Sequence, residues 1–124
     1  MRAIGFLVMA GLLAGCSDDS NGPSGDCSPS GTQVCMNADS FDPPTLTITA
    51  GASVTWANGD NTTHNTTSNP ANPVGCPSWG ETVGLDGVSD AIQFPTGGIS
   101  CQYFCSIHAT ATTGNMRGTI TVQQ

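Results

Sequence analysis

The chain has 124 residues, 37% of them hydrophobic and 9% charged, with two basic side chains (Arg2 and Arg117), nine carboxylates and a net charge of −7. That length makes one small domain. The scarcity of cations excludes a nucleic-acid surface, which works by displacing counterions from phosphate, and disfavours docking on anionic lipid through basic residues. Sixteen glycines and eight prolines speak against a helical bundle and for short strands joined by turns.

Met1-Arg2 is a short positive start to an apolar run from Ala3 to Ala14. The run falls short of the roughly 20 residues a bilayer-spanning helix needs and has the dimensions of a signal-peptide core. It ends in Leu13-Ala14-Gly15-Cys16, which resembles the lipobox of bacterial lipoproteins. The resemblance implies cleavage before Cys16, a lipid on its sulfur, and a membrane anchor facing the periplasm or the cell exterior. Ser17 directly after the cysteine implies the outer membrane. Ser17 to Asp26 has no apolar side chain to bury and is expected to be a flexible tether. The division expected is a lipoprotein signal peptide over 1–15, the lipidated cysteine and tether over 16–31, and a folded domain over 32–124, in a compartment where disulfides persist.

Val34 and Met36 alternate with Cys35 and Asn37, a strand-like pattern, and Phe41-Asp42-Pro43-Pro44 reads as a turn. Thr45–Thr49 sets Leu46 and Ile48 against threonines, a half-buried strand. After the turn at Ala50-Gly51-Ala52, Ser53–Trp56 points Val54 and Trp56 inward and runs into the turn-rich Asn58-Gly59-Asp60-Asn61. Asn65 to Val83, rich in Asn, Pro, Gly and Ser, reads as irregular. Ala91–Phe94 reads as a short strand ended by Pro95 and Gly97-Gly98, and Ile99–Cys105 and Arg117–Gln124 as the last two strands. Short strands with turn signals between them predict an all-β fold, an antiparallel Greek-key sandwich.

The chain has two histidines, His64 and His108. His108 follows Cys105 with two residues between, and Met116 lies further on, all between two predicted strands; His64 also falls at a strand end. A sandwich can carry all four to one pole. Two imidazoles, a thiolate and a weak axial thioether are the donor set of blue copper. Cu(I) favours soft sulfur and low coordination, Cu(II) favours nitrogen and a tetragonal shape, and a rigid site between the two changes little when an electron passes.

The chain from about Val34 to its end resembles the cupredoxins, plastocyanin-like blue copper proteins. The resemblance rests on Phe41-x-Pro43, Leu46-Thr47-Ile48, Gly51, Val54-Thr55-Trp56-x-Asn58 and His64-Asn65. Its specific part is Tyr103-Phe104-Cys105-x-x-His108 running to Met116-x-Gly118-x-Ile120-x-Val122. It implies one copper ion with His64, Cys105 and His108 as equatorial ligands and Met116 as the axial one. It also implies that Asn65 hydrogen-bonds around the thiolate and ties the two ligand loops together. Two stretches depart from the family pattern: the seven residues from Ala109 to Asn115 ahead of Met116, and the elaboration from Thr66 to Gly80.

With Cys16 lipidated, Cys27, Cys35, Cys76, Cys101 and Cys105 remain, an odd number. Cys105 is the one with histidine at ligand spacing, and the other four make two disulfides. Three pairings are open, with Cys27–Cys35 and Cys76–Cys101 preferred. The resulting expectation is a monomeric, lipid-tethered one-electron carrier; the resemblance to cupredoxins implies that it meets redox partner proteins through the solvent-facing edge of His108, beside Ile107 and Ala109. The competing reading is copper trafficking or buffering, which tends to use exposed methionines. A copper enzyme would need further histidine pairs, and both histidines are already used.

Overall fold

The computed structural model describes residues 27–124. The expected signal peptide, Cys16 with its lipid, and the tether as far as Asp26 lie outside the described residues. Nine strands and no helix are found within them: β1 (Gln33–Asn37), β2 (Ser40–Asp42), β3 (Thr45–Thr49), β4 (Ser53–Asn58), β5 (His64–Ser68), β6 (Gly80–Val83), β7 (Ile92–Gln93), β8 (Ile99–Phe104) and β9 (Arg117–Gln123). They form two sheets, ordered β2-β1-β4-β7 and β3-β9-β8-β5-β6.

The period-two pattern of the sequence decides which side chains lie between the sheets. Along β4, Val54, Trp56 and Asn58 are buried; along β9, Gly118, Ile120 and Val122 are buried and the threonines between them half-exposed. Aromatic rings fill the centre. Trp56 stacks on Trp79 with centroids 5.4 Å apart, and Tyr103 meets Phe41 and Trp56 edge-on at 4.6 and 5.2 Å. Trp56, expected to point inward, is fully buried.

The sandwich is mixed in its pairing. Most neighbours are antiparallel, but β1 runs parallel to β4 and β3 parallel to β9. The cause is the crossover: after the β1–β2 hairpin the chain passes to the second sheet as β3 and returns as β4 on the free side of β1. Two segments read differently in sequence. Phe41 and Asp42, read as the start of a turn, belong to β2 and pair with β1. The stretch from Asn65 to Val83, read as irregular, contains most of β5 and all of β6. Strand β5 escapes the alternation rule because its inward residues after His64 are threonine and serine. Thr66 is fully buried with its hydroxyl accepting from Trp79 Nε1 at 3.0 Å, so a polar side chain occupies the place of an apolar one.

Disulfides join Cys27 to Cys35 and Cys76 to Cys101. The first ties the start of the described chain to β1. The second ties the excursion between β5 and β6 to β8. Cys105 is free and buried.

Candidate metal centre

Strand directions bring the chemistry-bearing residues together. Strand β5 begins at His64 and pairs antiparallel with the end of β8 (Thr67 with Phe104, Ser68 with Tyr103). Strand β9 begins at Arg117, opposite Phe104. The first residue of β5, the residue after β8 and the residue before β9 therefore share one pole: His64, Cys105 and Met116. A tight turn adds the fourth. His108 N and Ala109 N both donate to Cys105 O, at 3.2 and 2.9 Å, and fold the chain back so that His108 stands beside the thiol.

Nδ1 of His64 and Nδ1 of His108 are 3.2 Å apart, and Sγ of Cys105 lies 3.9 Å from the first and 3.6 Å from the second. The point equidistant from these three atoms is about 2 Å from each, the length of a metal–imidazole or metal–thiolate bond. His64 and Cys105 are fully buried and His108 is exposed. Met116 is fully buried in the same core cluster as Cys105, and its carbonyl accepts from Cys105 N at 3.0 Å.

The groups around the triangle are held in turn. Asn65 N donates to Cys105 Sγ at 3.3 Å. The Asn65 side chain spans the gap between the two ligand segments: Oδ1 accepts from Ser106 N at 2.9 Å and Nδ2 donates to Ser106 Oγ at 2.7 Å. His64 Nε2 is 2.8 Å from Asp60 Oδ2. That hydrogen bond is the main reason the Asp60 carboxyl is held below its usual range. An ionised carboxylate only accepts, so Nε2 carries the ring proton and Nδ1 turns its lone pair into the triangle. Asp60 itself sits in a turn shaped by Asn58, whose Oδ1 accepts from Asp60 N and whose Nδ2 donates to Thr62 O and Val83 O.

Sequence reading missed Asp60 and Ser106. The one signal for Asp60 was a carboxylate four residues before a histidine, a spacing that orients nothing unless the turn between them closes. Ser106 had no signal beyond its place next to Cys105.

Residues 30–123 match the family described as copper binding proteins, plastocyanin/azurin family. The chain belongs to that family. Solved structures similar to this cupredoxin include amicyanin from Paracoccus versutus (Thiobacillus versutus), at 29% identity and a TM-score of 0.62 over 78% of this chain and 85% of that one. A reduced amicyanin variant matches at 22% identity and a TM-score of 0.61, over 73% and 80% of the two chains. An oxidised variant matches at 18% and 0.62, over 81% and 93%. Among curated protein sequences, none matches. Cupredoxins are copper-dependent electron carriers rather than enzymes, and copper is the cofactor here. The donor set fits the ion: imidazole nitrogen and thiolate sulfur serve both of its oxidation states, and three such atoms already stand at metal-binding separations.

Proposed function

We propose that this cupredoxin carries single electrons in an extracytoplasmic compartment, with copper held by Nδ1 of His64, Sγ of Cys105, Nδ1 of His108 and the thioether of Met116. The observation that carries the reading is the triangle of two imidazole nitrogens and one sulfur at 3.2, 3.6 and 3.9 Å. When bound, copper supplies a one-electron couple between its cuprous and cupric states. The chain supplies everything else. Burial of His64 and Cys105 keeps water from the donors, and the bonds through Asp60, Asn65 and Ser106 keep the donor positions the same before and after the electron moves. His108 is the exposed member. Ile107 beside it is 53% exposed and Ala109 is half-buried, so a redox partner protein meets an imidazole edge set in apolar surface.

Two disulfides support an oxidising compartment. The lipobox-like Leu13-Ala14-Gly15-Cys16 supports a tether by lipid on Cys16, with the outer membrane favoured by Ser17. The competing role in copper trafficking has little support, because Met36 and Met116, the methionines of the described residues, are both fully buried. Delivery through exposed methionines therefore has nothing to use among the described residues.

The test is the absorption spectrum of protein loaded with Cu(II). The expected result is an intense visible band from the Cys105 thiolate, reversible reduction and re-oxidation without loss of metal, and disappearance of the band in Cys105→Ser. A band that survives in that variant removes the assignment, and transfer of copper to a chelator on reduction favours trafficking. For the anchor, Cys16→Ala is expected to move the protein out of the membrane fraction.

A further inference from the structure

Two segments of the chain supply none of the three triangle atoms: the excursion 69–79 between β5 and β6, and the stretch 109–115 between His108 and Met116. They touch each other through Asn69. This asparagine is 8% exposed. Its Nδ2 donates to Ala111 O at 3.0 Å and to Gln102 Oε1 at 3.3 Å, and its Oδ1 accepts from Ala71 N at 2.9 Å.

The excursion is firmly fixed to β8, the strand that leads into Cys105. Asn69 N donates to Gln102 O at 2.9 Å. Asn72 donates through Nδ2 to the same carbonyl and accepts at Oδ1 from Gln102 N, at 2.9 and 2.8 Å. The disulfide from Cys76 to Cys101 closes the attachment. The stretch 109–115 is a small closed turn: Thr110 N donates to Thr113 O at 2.8 Å, Thr113 N donates to Thr110 Oγ1 at 3.0 Å, and Ala109 bridges Gly114. Two side chains from outside that turn reach successive carbonyls in it, Asn69 at Ala111 and Arg117 Nη1 at Thr112 (3.2 Å). The Arg117 contact is exposed and the Asn69 contact is part-buried, so water competes less for the second.

We propose that Asn69 is a positioning residue for the metal centre. Its amide, held on β8 by the stapled excursion, fixes the carbonyl of Ala111 and so sets how the long loop presents His108 at one end and Met116 at the other. The two departures from the family pattern are then one device: the lengthened ligand loop would have more freedom than a short one, and the lengthened β5–β6 connection removes it. The bonds of Asn69 to Gln102 and Ala71 would serve the excursion alone; the donation to Ala111 O serves only the ligand loop. This inference rests on His108 and Met116 being ligands.

The test uses Asn69→Asp, which keeps the acceptor for Ala71 N but sets carboxylate oxygen against two carbonyl oxygens. Asn69→Ala, which introduces no charge, carries the same readouts if the first variant does not fold. In the metal-free protein, hydrogen exchange at the amides of Thr110 and Thr113 is expected to speed up about five- to tenfold, the loss of roughly one hydrogen bond, with the amides of β8 and β9 unchanged. In the Cu(II)-loaded variants the thiolate band is expected to remain but shift, together with the reduction potential. Unchanged loop exchange, faster exchange spread over the whole domain, or a faster loop with an unmoved spectrum and potential would each overturn the proposal. A wild-type protein that binds copper without the visible band sinks the proposed electron-carrier role instead, and leaves the exchange measurement to decide whether Asn69 holds the loop.

Discussion

Asp60 decides which nitrogen of His64 is available to metal. Replacing it by asparagine keeps the size of the side chain but allows an amide N–H to face Nε2, which would move the ring proton to Nδ1 and close the lone pair that the triangle needs. Asp60→Asn is expected to weaken copper affinity about 10- to 100-fold with little change in the fold, measured by competition with a chromophoric chelator; unchanged affinity would remove Asp60 from the centre. Tyr103 offers a second prediction at this scale. It is the only tyrosine of the chain and is 1% exposed, and burial pushes its phenol well above the usual range, with Trp56 opposing slightly. Neither Tyr103 Oη nor Trp56 Nε1 has a partner of good hydrogen-bond geometry. A pKa raised by folding means that the native state holds its proton where the unfolded chain loses it. The stabilising contribution is therefore complete below about pH 10, the ordinary value for tyrosine, and declines as pH rises above it. In an alkaline titration, tyrosinate absorbance is expected to rise together with loss of tertiary structure. Ionisation of Tyr103 in a still-folded protein would contradict its burial.

At the scale of elements, β5 shows how a strand forms without an apolar stripe. His64 and Thr66 are its buried residues; Thr66 satisfies the indole N–H of Trp79, and the backbone pairs with β6 on one side and β8 on the other. The strand is held by satisfied polar groups more than by transfer of hydrocarbon from water. Thr66→Val preserves the shape and removes the acceptor, leaving a buried N–H unpaired, a loss of about 1–3 kcal/mol. Thr66→Ser should recover much of it, because the acceptor returns. Urea denaturation with an unchanged slope and a lowered midpoint is the expected result for the valine variant. This also explains which strands the sequence revealed. Strands β3, β4 and β9 alternate because one face of each is apolar and buried. Strands β5 and β6 carry too few apolar residues for any period to register, and β2 is three residues long.

Across the whole molecule, two covalent links constrain a domain with few charges to pair. The bond between Cys76 and Cys101 closes 25 residues and that between Cys27 and Cys35 closes 8. On loop length alone, replacing the first pair by alanine is expected to cost about 3.5 kcal/mol and the second about 2.5 kcal/mol. Chemical denaturation of the two double variants checks that order, and a larger loss from the shorter loop would show that native packing outweighs chain entropy here.

The sequence by itself determined the class of fold and the donor types, since alternation at period two and a cysteine, histidine and methionine between two strands are local patterns that need no partner to be read. Parity left one thiol free, the histidine at ligand spacing pointed to Cys105, and three disulfide pairings stayed open because parity carries no distances. Only the tertiary structure decided the rest. The convergence of His64 with Cys105 and His108 depends on β5 running antiparallel to β8, and the orientation of His64 depends on a turn that brings Asp60 back to its ring. The brace from Asn69 to Ala111 joins residues 42 apart. The Asp60 pair is local and waits only on its turn to close, whereas the contacts across strands and loops are set by how the two sheets pack and cross over, which no short stretch of sequence shows.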